Sequence, residues 1–83
     1  MNRDWVLFHL REAQEEISRA ITEMNSTPDY GYGEFWPAMQ HAYHHLNTAW
    51  NSRDATRAQV EPGTDADFNR WSQFPTDLPM MEV

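Results

Sequence analysis

Apolar residues recur at steps of three and four along two stretches of the chain. From Val6 to Met24 they are Val6, Leu10, Ala13, Ile17, Ala20, Ile21 and Met24; from Phe35 to Trp50 they are Phe35, Met39, Ala42, Leu46, Ala49 and Trp50. A helix turns once per 3.6 residues, so each set falls on a single stripe. Two such stripes in so short a chain predict an antiparallel helical hairpin, about 3–25 and 34–53, whose stripes bury each other.

Local signals place the ends. Asn2 can cap the first helix, and Asp4 suits the positive end of its dipole. Ser26 to Gly33 is rich in turn formers, with Pro28, Asp29, Gly31 and Gly33. The second helix is expected to begin at Gly33 to Phe35, with Pro37 in its first turn, and to end near Asn51 to Asp54. Glu61-Pro62-Gly63 reads as a turn, after which Thr64 and Asp67 resemble a capping box. A short third helix, about 65–73, follows, with Phe68 and Trp71 on one side. The expected organisation is one small all-α domain over 1–83: a hairpin over 1–55, then over 56–83 a loop, the third helix folded across one end, and an extended tail.

Size sharpens this picture. A single core in a chain of 83 residues rarely supplies more than ~3–5 kcal/mol. There is no Cys, so neither a disulfide nor a thiolate zinc site can staple the fold. Oligomerisation is the staple that remains.

The hairpin stripes leave large rings over. Trp5 and Phe8 lie roughly 120–180° from the centre of the first stripe, at 100° per residue. Trp36 and Tyr43 flank the second stripe in line with Trp50. Two covers are open to them. Phe68, Trp71 and Phe74 can fold back onto Trp5 and Phe8, and two hairpins can pair through the Trp36–Tyr43–Trp50 flank into a dimeric four-helix bundle. Trp36, Tyr43, Trp50, Trp5 and Phe8 are therefore the expected interaction surface.

Thirteen acids against six bases, all Arg, give a net charge of −7. Such a surface repels phosphate backbones and argues against nucleic-acid binding. Its plainest reading is solubility; it also suits a basic protein partner, or imitation of nucleic acid. No stretch approaches the ~20 apolar residues of a membrane span, and no signal peptide is seen, so the expected setting is the cytoplasm.

His41, His44 and His45 are the residues with a claim to chemistry. His41 and His45 are one helical turn apart, and Glu34 lies between them in angle, a pattern permissive for zinc or iron. Their direction, away from Leu46, predicts surface histidines, in reach of a partner or the tail. The pattern also lacks the glutamate of a His-Glu-x-x-His site. No phosphate loop, nucleophile or triad appears, so no enzyme and no cofactor is expected. The leading expectation is a non-catalytic interaction protein that binds itself or a basic partner. The alternative is a metal-binding protein using His41, His45 and Glu34.

Overall fold

The computed structural model describes residues 1–81; the last two residues of the expected tail, 82 and 83, lie outside them. Four helices follow in order: α1 (Arg3–Ser26), α2 (Tyr32–Asn51), α3 (Arg57–Val60) and α4 (Asp65–Trp71). No strand occurs among the described residues.

Asn2 begins the fold twice over. Its side chain accepts the Trp5 N–H at 3.2 Å, capping α1. Its Nδ2 donates to the Ala55 carbonyl at 2.9 Å, and its backbone N–H reaches the Arg53 carbonyl at 2.7 Å. One residue thus starts α1 and ties it to the chain leaving α2, which sets the hairpin antiparallel.

The second helix starts earlier than expected, at Tyr32. Glu34 Oε2 accepts the Gly31 N–H at 2.8 Å, while the Gly31 carbonyl receives the N–H groups of Glu34 and Phe35. The early start carries Pro37 out of the first turn and into the second. Its missing N–H leaves the Gly33 carbonyl without a helical donor. Gly33 is exposed, so water can serve it.

One element escaped the periodicity. The Thr56 side chain accepts the Gln59 N–H at 3.3 Å, and Gln59 Oε1 accepts the Thr56 N–H at 2.7 Å. This reciprocal cap holds the single turn of α3. Gly63, at φ 56°, then turns the chain into α4, where Thr64 accepts the Asp67 N–H at 3.2 Å.

The buried seam differs from the expected one. The buried apolar residues of α1 and α2 are Ala13, Ala20, Ala42 and Ala49, all 2–6 % exposed, and they fall on one line of each helix. Leu10, Ile17, Ile21, Met24 and Leu46, expected in the core, are exposed. Small side chains let the two helices draw together along one edge of each stripe, and the bulky remainder of each stripe is left beside the contact. No large side chain is fully buried among the described residues.

The opposite edge of the seam is polar and aromatic. His9, Asn47, Thr48 and Ser52 are buried there, and α4 lies over them. Asn47 Nδ2 donates to the Ser72 carbonyl at 2.9 Å, and Asn51 Nδ2 donates to the carbonyls of Trp71 and Gln73 at 2.8 and 2.6 Å. These side chains saturate the carbonyls leaving α4 and hold it to α2. Further along, Trp50 Nε1 donates to Asp77 Oδ1 at 2.9 Å. The tail is thus fastened as far as Asp77.

Candidate functional site

The hairpin presents two unlike surfaces, and each gathers residues with a claim to function. The first is apolar. Leu7, Leu10, Ile17, Ile21 and Met24 of α1, with Leu46 of α2, each leave 41–57 % of their surface in water. At 100° per residue the five α1 side chains share one face, and Leu46 borders a groove of about 500 Å³ with Leu7, Leu10 and Ile17. Phe35 and Met39 continue this side along α2, both half-buried.

The second surface carries the histidines. His9 is 5 % exposed, and its Nδ1 stands 3.0 Å from His45 Nδ1 across the seam. Only one of those two nitrogens carries the shared proton. Trp5 meets the His9 ring edge-on with centroids 4.4 Å apart, and Phe68 of α4 lies 4.5 Å from the His44 ring. His9 Nε2 is buried without a hydrogen-bond partner. Burial, with His45 and His44 adding like charge, pushes His9 down from 6.5 to about 4. Burial likewise lowers His44, helped by His45 and His41.

The expectation of surface histidines touching a partner or the tail is corrected in part: His44 meets Phe68 of the tail segment, but His44 and His45 are half-buried. Their direction was right: they do point away from Leu46. The core lies on their side, because the alanine seam turns that edge inward and α4 covers it. Only His41 remains exposed, with Nδ1 3.8 Å from Glu16.

The candidate metal set is dispersed. His45 is spent on His9, Glu34 caps the Gly31 N–H, and His41 stands beside Glu16. Among the described residues no three His, Cys, Asp or Glu side chains are grouped to hold a metal ion.

The expected aromatic surface divides in the same way. Trp5 is half-buried: its Nε1 donates to Ser52 Oγ at 2.7 Å, and Trp71 packs edge-on at 6.3 Å. Trp50 is half-buried, closed by Asp77 and by the Arg53 guanidinium 4.0 Å over its ring. Trp36 stays 67 % exposed. Tyr43 and Phe8 are about half exposed, with Phe74 against Tyr43 at 5.3 Å and Phe8 stacked on Trp5 at 6.2 Å. Of the three rings expected to fold back onto Trp5 and Phe8, Trp71 meets Trp5; Phe68 and Phe74 go to α2 instead.

One feature of the sequence would have placed both surfaces. Ala13 and Ala20 are seven residues apart, and so are Ala42 and Ala49. Small residues at a heptad interval on two helices mark a line of close approach. Comparison with protein-family models, with curated proteins and with solved structures finds no match. No helix among the described residues is long and apolar enough to cross a membrane.

Proposed function

We propose that this chain is a non-catalytic protein–protein interaction module. Its working surface is the face built from Leu7, Leu10, Ile17, Ile21, Met24 and Leu46. The observation that supports this reading is the half exposure of all six together. Scattered apolar residues on a surface are ordinary, whereas a contiguous patch of this extent is a mark of an interface. The occupant contributes apolar helical surface rather than basic charge, because the acids of α1 and α2 lie off this face. The reading moves the working surface from Trp5 and Trp50, which are engaged internally, to the aliphatic side of the same hairpin.

The test is site-specific photo-crosslinking in cells that express the protein naturally. A photoreactive phenylalanine at Ile17 is expected to yield a discrete adduct, and one at exposed Arg19 none. Absence of any adduct at position 17, or equal yields at both positions, overturns the proposal.

A further inference from the structure

We propose that the occupant of this face is a second copy of the chain, packed with α1 antiparallel to α1 about Gln14 to give a four-helix bundle. The inference rests on the interaction-module reading and names its partner.

The face is close to symmetric about Gln14. Leu7 and Ile21 stand seven residues either side of Gln14, and Leu10 and Ile17 stand four before and three after it. A two-fold axis at Gln14 sets Leu7 against the partner's Ile21 and Leu10 against the partner's Ile17. Each pair is repeated by the axis, as an isologous contact requires. Gln14 is exposed in the single copy and meets its own counterpart on the axis. One polar residue at the centre of an apolar helical contact fixes its register.

The face is also broad. A typical monomer leaves bare no single apolar patch beyond roughly 300–600 Å². Here six aliphatic side chains, each 41–57 % exposed, share one side of the hairpin, with half-buried Phe35 and Met39 beside them, a run of apolar surface of the kind that interfaces use.

Charge favours the same pairing. Two copies at −7 each repel, and this face is where repulsion is least. Round the α1 wheel from Met24 through Ile17 to Leu7 no Asp or Glu falls, and the charges on it or at its margin are Arg3 and Arg11. The antiparallel arrangement brings Arg11 alongside the partner's Glu15, so the rim carries opposite charges.

Sedimentation equilibrium on the purified chain tests the proposal. The expected result is a doubling of the 9.8 kDa mass at micromolar concentration. Ile17→Glu and Gln14→Lys are each expected to weaken association by roughly tenfold or more. Both sites are exposed in the single copy, so the helical circular-dichroism spectrum should be kept. With no native cysteine, Gln14→Cys is expected to give a disulfide-linked dimer on mild oxidation, and Arg19→Cys is not. A single-copy mass up to high micromolar concentration, a dimer indifferent to both substitutions, or failure of Gln14→Cys to cross-link overturns the proposal. Adducts at position 17 in cells with a mass other than twice the chain sink the second copy while leaving the interaction module standing. No adduct at all sinks both.

Discussion

The two sides of the α1–α2 hairpin are finished by different means. On the histidine side, Asn47 and Asn51 hold the end of α4 to α2, and Phe68 and Trp71 lie over His44 and Trp5. On the aliphatic side none of the described residues supplies a cap, and Leu46 and its neighbours face water. The difference follows from what each side cannot tolerate. Buried polar groups need partners of fixed geometry, so the chain brings them a cap of its own. Apolar surface is non-directional and can wait for another molecule.

The sharpest way to break this comparison uses two residues one turn apart in α2. Ala42 is buried in the alanine seam and Leu46 is exposed. Ala42→Asp is expected to abolish folding, because an unpaired buried charge costs several kcal/mol against a core worth ~3–5 kcal/mol. Leu46→Asp should keep the helical circular-dichroism spectrum at low concentration. Unfolding of Leu46→Asp under the same conditions would mean that the aliphatic side is core after all.

Acid tests the histidine side next. His9 is lowered by burial and by its neighbours to about 4, so folding favours its neutral form. Its contribution is therefore fully present above 6.5 and is lost as pH falls from 6.5 towards 4. At 1.36 kcal/mol per unit this amounts to about 3 kcal/mol. His44 and His45 face it from α2, and Asp67 of α4 borders a small cavity that His9 and His44 also line. Urea unfolding at pH 7.5, 6, 5 and 4 should report the loss, and His9→Phe should flatten the profile. An unchanged slope in His9→Phe would show that the seam histidines do not carry the acid sensitivity.

Much of the fold was readable from spacing alone. Period and capping residues located α1, α2 and α4 to within about two residues, because a long amphipathic repeat admits few alternatives. What period does not tell is which edge of a stripe meets the neighbouring helix. Side-chain volume decided that: Ala13, Ala20, Ala42 and Ala49 permit close approach where Leu10, Ile17 and Leu46 do not. The histidines were misplaced for the same reason, since a residue opposite Leu46 is on the surface only if Leu46 is inside. The tail rings were expected near Trp5. Phe68 and Phe74 settle on His44 and Tyr43 instead, a choice made by Asn47 and Asn51 holding the end of α4 to α2.

A smaller effect separates the two groups of tryptophans. Trp5→Phe removes the bond to Ser52 Oγ and part of the packing on His9. The expected cost is about 1–2 kcal/mol by urea unfolding. Trp36→Phe, at the exposed end of α2, should leave the midpoint where it is. Equal losses would erase the distinction between covered and open rings.

The slightest effect is expected where the tail is fastened, and it separates two pH ranges. Asp77 accepts from Trp50 Nε1 and stands 3.5 Å from Arg53 Nη2. The bond from Trp50, more than the Arg53 charge, holds its carboxyl below the usual 3.8. A lowered carboxylate contributes above its unfolded value and loses that contribution as pH falls through the folded one, so this fastening is intact across the range in which His9 takes up its proton. Asp77→Asn should therefore keep the same pH profile as the parent between 7.5 and 5, where His9→Phe flattens it. Its signature is local: faster cleavage of the tail between residues 76 and 78 by a protease of broad specificity, with the urea midpoint unmoved, because an exposed ion pair adds little to global stability. If Asp77→Asn flattened the acid profile as His9→Phe does, cap and tail would open as one unit, and the histidine side would not be closed by two separate fastenings.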